Sequence, residues 1–212
     1  MEVNEIMVNE RGNIRGQSIK YRKIQTLMYH INEETLIKEH QRQSNNKASG
    51  IDKITKDKYE ENLYGNIDNL LSRMKKFSYK PQAVRRTYIP KANGKQRPLG
   101  IPVYEDKLVQ GAPAKILNDI YEPRFLECSY GFREDRNCHM AISRIKKSIM
   151  TKPVNYILDA DIKGFFDNVD HKWLIKFLEN DIEDKNFIRY IVRFLKSGIM
   201  EKEVIKESIK GT

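Results

Sequence analysis

The sequence predicts an α+β fold: amphipathic helices, one projecting β-hairpin and part of an antiparallel sheet. Three observations carry this. Apolar residues recur at helical spacing over residues 18–43 (Ile24, Leu27, Met28, Ile31, Leu36) and 56–76 (Tyr59, Leu63, Ile67, Leu70, Leu71, Met74). Asn93-Gly94 separates two extended runs in AVRRTYIPKANGKQRPLGIP (83–102), a strong hairpin signal. VNYILDADI (154–162) has the apolar, β-branched and aromatic character of a strand.

Residues 1–16 are polar, contain Gly12 and Gly16, and predict a frayed start. The first helix follows, then a loop at NNKASGID (45–52). Thr55 or Asp57 caps the second helix. In the hairpin, Pro90, Pro98 and Pro102 cannot donate ladder hydrogen bonds, which places these strands at an edge. Residues 104–121 are helical through Leu108, Val109, Ala112, Ile116, Leu117 and Ile120, with a kink or break expected at Pro113. SYGFRED (129–135) is a turn and 137–150 a helix. Trp173, Leu174, Phe177 and Leu178 mark a helix capped by Asp170. Phe187, Ile188, Ile191, Val192 and Leu195 mark another, and IMEKEVIKESI (199–209) suggests a strand pair.

Composition narrows the function. The 212 residues are 39% hydrophobic, enough for a packed core, and carry a net charge of +10. That balance points to a polyanionic partner, nucleic acid or an anionic membrane surface. No apolar run is long enough to span a bilayer, and the N-terminus lacks the apolar centre of a signal peptide. Cys128 and Cys138 are too few for a disulfide framework, so a cytoplasmic, reducing compartment is expected. His30, His40, His139 and His171 have no metal-ligand spacing.

The charge is concentrated. From Arg73 to Arg97 there are nine basic residues and no acidic one. Phe77, Tyr79 and Tyr88 are interleaved with them. Arg73, Lys75, Lys76, Lys80, Arg85 and Arg86 therefore form a candidate RNA-binding set, cations for phosphates and rings for bases. A solvated basic loop is the plainer alternative.

In a strand over 154–162, Ile157, Asp159 and Asp161 would share one face. Two carboxylates on one face repel unless water or a divalent cation sits beside them. Either solvated strand-end residues or a magnesium site fits this pattern. Asp167 and Asp170 have local roles, turn and cap.

At this point the residues resemble a known family. ADIKGFFDNVDH (160–171) resembles the first catalytic motif of reverse transcriptases, in the form found in group II intron-encoded proteins (maturases). YIPKANGKQRPLGIP (88–102) resembles their fingers hairpin, and FLECSYGFR and GIDKITKDKYEENL have their place in that family. The resemblance covers roughly Ile31 to Thr212, with several motifs in order. It implies a right-hand polymerase: an N-terminal helical extension at 1–45, fingers at 46–150 and the first part of the palm at 151–212. It implies an RNA-directed DNA polymerase using two Mg2+ ions in its complete form, with intron RNA, an RNA template, a DNA primer and deoxynucleoside triphosphates as partners.

Carried over residue by residue, the resemblance makes Asp161 the catalytic, metal-binding aspartate, joined on the metal by the Ile162 carbonyl. Phe166 corresponds to the aromatic gate beside the sugar of the incoming nucleotide, with Phe165 next to it. Lys91 and Arg97 correspond to fingers residues that grip the triphosphate, and Lys163 and Gly164 line the same pocket. Asp159 is a supporting carboxylate.

The family pattern continues past Gly211-Thr212 into Pro-Gln-Gly-Gly and a Tyr-Ala-Asp-Asp hairpin, neither of which is in this sequence. One aspartate motif cannot hold two ions, so these 212 residues alone are expected to extend no primer. Robust extension by the purified chain, given template, deoxynucleotides and magnesium, would refute that. An incomplete palm is also expected to expose apolar surface and favour a homodimer. Two other readings are a non-catalytic intron-RNA-binding module and a magnesium nuclease using Asp159 and Asp161. Loss of RNA cleavage in Asp161→Asn would mark the latter.

Overall fold

A computed structural model describes residues 23–90 and 94–211. Lys91 and the first residues of the predicted 18–43 helix lie outside them. What is described of that helix is two pieces, a 3-10 turn at Leu27–His30 and α1 at Glu33–Arg42. Asn32 divides them. Its side chain accepts from the Thr35 N–H at 3.1 Å, and the Thr35 hydroxyl accepts from the Asn32 N–H at 2.9 Å. This reciprocal capping box fixes the start of α1.

The second predicted helix also splits, into α2 (Lys56–Glu60), capped by the Thr55 hydroxyl, and α3 (Leu63–Lys75). α3 ends in a Schellman motif, with Ser78 N–H to Arg73 C=O at 2.9 Å and Phe77 N–H to Met74 C=O at 2.9 Å. The left-handed position of that motif normally belongs to glycine. Here it is Phe77, at φ 56°.

α4 runs unbroken over Tyr104–Tyr121 with Pro113 inside it, so the expected break does not occur. Pro113 sits on a buried face with Leu108, Val109, Ala112, Ile116 and Ile120. Burying that face outweighs the roughly 3 kcal/mol cost of an interior proline. Among the described residues four further α-helices follow: α5 (Cys138–Thr151), α6 (Phe165–Asn168), α7 (His171–Asp181) and α8 (Lys185–Leu195). Asn137, Asp170 and Asp184 cap α5, α7 and α8.

The four strands among the described residues are β1 (Val84–Pro90), β2 (Gln96–Ile101), β3 (Ile199–Glu201) and β4 (Val204–Lys206), in the order β2-β1-β3-β4. β1 and β2 form the predicted hairpin, registered from Arg85↔Ile101 to Pro90↔Gln96. β3 and β4 form the predicted C-terminal pair. The sheet is mixed rather than purely antiparallel, because β1 meets β3 in parallel at Val84↔Ile199 and Arg85↔Met200. Beyond those two residues β1 pairs only with β2, so the hairpin projects. β2 lies at one edge of the sheet, which suits Pro98.

Residues 154–162, predicted as a strand, belong to no strand among the described residues. Leu158 is 92% exposed. The residue types favour a strand, but a ladder needs a partner, and none of the described strands pairs with this segment. α5 likewise buries no residue. The apolar core lies elsewhere, where Leu36, Ile67, Leu70, Leu108, Val109, Phe187 and Tyr190 join α1, α3, α4 and α8. Ile24 ties the start of the described chain to the end of α7 through bonds with Asp181 C=O and Glu183 N–H, both 2.8 Å.

Candidate active site

Local chemistry places Asp161 and the phenylalanines. Gly164 adopts φ 62°, a left-handed turn that brings the chain into α6. A side chain there would be strained, and its Cβ would sit 3.2 Å from the Asn168 amide. That amide donates to the Gly164 carbonyl at 2.8 Å and closes the turn. Phe165 and Phe166 start α6 as an edge-to-face pair, centroids 5.4 Å apart, and both are exposed.

These residues line a cleft of about 1850 Å³. One wall is the hairpin, with Arg86, Arg97, Pro98 and Leu99. Another is Ala160–Ile162 with Gly164, Phe165 and Phe166. The floor comes from α4 (Gln110, Pro113, Ala114, Leu117) and α8 (Ile191, Phe194, Leu195). Positions 65 residues apart in sequence, Arg97 and Ile162, thus face one space. Asp161 lines the cleft, whereas Asp159 does not. Lys163 lies outside the lining, and Lys91 outside the described residues.

Sequence reasoning missed the return of the C-terminal segment to this site. The Gly211 N–H donates to Val169 C=O at 2.9 Å, and its carbonyl lies 2.6 Å from His171 Nε2. Lys210 Nζ donates to Asn168 at 3.0 Å. Ser208, Ile209, Lys210 and Gly211 therefore border the cleft beside Phe166 and Asp167. The one available signal was the glycine: at φ 87°, a Cβ on Gly211 would stand 3.1 Å from the Phe166 carbonyl.

The predicted RNA-binding set separates into two groups. Lys75, Lys76 and Lys80 are exposed, and Arg86 lines the cleft. Arg73 is held internally: it donates to Glu105 at 2.6 Å and Asn69 at 2.8 Å, and lies 5.7 Å over the Tyr79 ring. Arg85 donates twice to the Ser49 carbonyl, at 2.8 and 3.2 Å, which pins the 45–52 loop to the hairpin. Tyr79 is buried, and Tyr88 donates its hydroxyl to Glu201. Lys206, first, and Tyr88 together hold the Glu201 carboxyl down to about 2. This exposed cluster links the hairpin to the β3–β4 pair beside the cleft.

Asp161 and the Ile162 carbonyl offer hard oxygen donors, the kind a divalent magnesium ion takes alongside substrate phosphates. Among the described residues no group of three or more His, Cys, Asp and Glu side chains could hold a metal by itself. None of the described helices is long and apolar enough to cross a membrane.

The family described as reverse transcriptase (RNA-dependent DNA polymerase) matches residues 89–210. The chain is 42% identical over 147 residues to the group II intron-encoded protein LtrA of Lactococcus lactis subsp. cremoris, covering 69% of this chain and 24% of that protein. It is 32% identical over 165 residues to the protein YkfC of Escherichia coli, covering 76% of this chain and 43% of that protein. It is 38% identical over 148 residues to a 91 kDa protein in the cob intron of Schizosaccharomyces pombe, covering 69% of this chain and 18% of that protein. The chain thus spans less than half the length of each of these relatives.

Proposed function

This chain belongs to the reverse transcriptase (RNA-dependent DNA polymerase) family, and from that membership we propose that it forms the fingers and first palm segment of a group II intron-type polymerase that also binds its intron RNA. The observation that carries this reading is the single cleft shared by Arg97, Asp161 and Phe166. In it the primer 3′-hydroxyl attacks the α-phosphorus of a deoxynucleoside triphosphate, and pyrophosphate leaves. Arg97 supplies a planar guanidinium for bidentate grip on the phosphates, with Lys91 as a compact second charge. Phe166, with Phe165 against it, presents a ring that excludes a 2′-hydroxyl by volume. Asp161 and the Ile162 carbonyl hold a divalent ion, which when bound neutralises charge on the reacting phosphates. Lys163 and Gly164 complete the turn that presents these groups.

RNA binding follows from Lys75, Lys76, Lys80 and Arg86, with Arg73 and Arg85 acting chiefly as internal struts. The test is binding of the chain to structured RNA over a salt series. Neutralising about six phosphates lowers affinity roughly a thousandfold between about 50 and 200 mM salt. Changing Lys75, Lys76 and Lys80 together to alanine should reduce the slope of log K against log salt by about two to three. An unchanged slope would move the RNA site to another surface.

A further inference from the structure

Resting on the RNA-binding reading, we infer that Phe77 and Arg189 together form a stacking platform for an unpaired base of the bound RNA. Phe77 holds the left-handed position of the α3 Schellman motif at φ 56°, where glycine would be unstrained. It is 39% exposed. Burial therefore gives only part of a reason for a large ring to occupy a strained position. Strain of this kind gathers at functional sites.

α8 supplies the rest of the platform. Arg193 donates to the Phe77 carbonyl at 2.9 Å and the Tyr79 carbonyl at 2.6 Å, and the Tyr190 hydroxyl donates to the Met74 carbonyl at 2.8 Å. Those three bonds already clamp the end of α3 to α8. Arg189, one turn earlier, lies over the Phe77 ring. Its guanidinium carbon stands 4.5 Å from the ring centroid, on a residue that is exposed to solvent. A guanidinium plane is a stacking surface for a base splayed from single-stranded RNA. Lys75 and Lys76 precede the ring, Lys80 follows it, and all three are exposed cations placed for the flanking phosphates. The ligand class is therefore single-stranded RNA rather than duplex, whose bases are already stacked.

Binding of a labelled oligouridine of about 12 nucleotides and of a duplex RNA of matching length tests this in the 212-residue chain. Arg189→Lys keeps the charge and removes the plane. It should weaken oligouridine binding about tenfold, the effect of one stacked base, with the salt slope and duplex binding unchanged. Phe77→Gly should give the same loss while the melting temperature stays equal or rises, because glycine relieves the strain. Wild-type oligouridine affinity in both variants overturns the platform and leaves the RNA-binding reading standing. So does an equal loss on both RNAs in Arg189→Lys, or a fall in melting temperature that accompanies the loss in Phe77→Gly. Failure of the unaltered chain to bind either RNA overturns the RNA-binding reading, and the platform with it.

Discussion

Replacing Asp161 by asparagine is expected to lower primer extension by at least about a hundredfold in a polymerase that carries this chain as its fingers and first palm segment. Asparagine has nearly the same shape, so the turn at Gly164 and the ring pair beside it should be retained. What it loses is the negative charge that makes the side chain a ligand for a hard divalent cation. Asp159 is the internal control. It sits two residues away with the same chemistry, yet it does not line the cleft that holds Asp161, Phe166 and Arg97. Asp159→Asn should therefore leave extension within a fewfold of the unaltered enzyme. RNA affinity should be equal in both variants, since neither residue belongs to the exposed lysine set. Extension rates measured under matched magnesium decide the matter. Equal losses in the two variants, or full activity in Asp161→Asn, would remove Asp161 from its proposed role.

Local chemistry was legible in the sequence, and long-range pairing was not. Asn93-Gly94 signals a hairpin because the dipeptide favours tight turns, and β1 and β2 pair on either side of it. Asp170 and Thr55 announced their helix starts because a cap acts over three residues. Asn32 is the same kind of signal, but the apolar stripe through Ile31 and Leu36 concealed the interruption. The parallel meeting of β1 and β3 has no local signature, since Val84 and Ile199 are joined only by the fold. Residues 154–162 show the reverse case: their composition suits a strand, but a strand also needs a partner to pair with, which composition does not report. Counting charges located the basic segment but could not distinguish Lys75, which is exposed, from Arg73, which Glu105 and Asn69 occupy. The motif resemblance assigns Arg97 and Asp161 to one site, and both residues line the same cleft. Arg189 and Asp106 lie outside every motif, and their settings became visible only through Phe77 and Tyr79.

Asp106 carries the largest expected effect on stability. Its carboxylate is 2% exposed, accepts a hydrogen bond from the Tyr79 hydroxyl, and accepts another from the Gln82 N–H at 2.8 Å. It thereby fastens the segment after α3, and so the base of the hairpin, to α4. Asp106→Ala would leave both donors without an acceptor in a buried site, at a cost of about 2–5 kcal/mol. The same burial pushes the Asp106 carboxyl up to about 6 from 3.8, against the smaller lowering effect of its two hydrogen bonds. The sign follows from linkage. A group whose folded value is raised binds its proton more tightly in the native state, so its contribution favours folding below the unfolded value and is lost as pH rises through about 6. Asp106→Asn cannot titrate, and its amide turns a donor towards either Tyr79 or Gln82. It should be less stable than the unaltered chain at neutral pH. That deficit should widen by about 1 kcal/mol as pH falls to about 5, because only the unaltered chain gains from protonation. Urea unfolding of both chains across that range measures the difference directly. Parallel stability curves would mean that Asp106 does not titrate there, and a negligible cost for Asp106→Ala would mean that the Tyr79 and Gln82 donors find other acceptors.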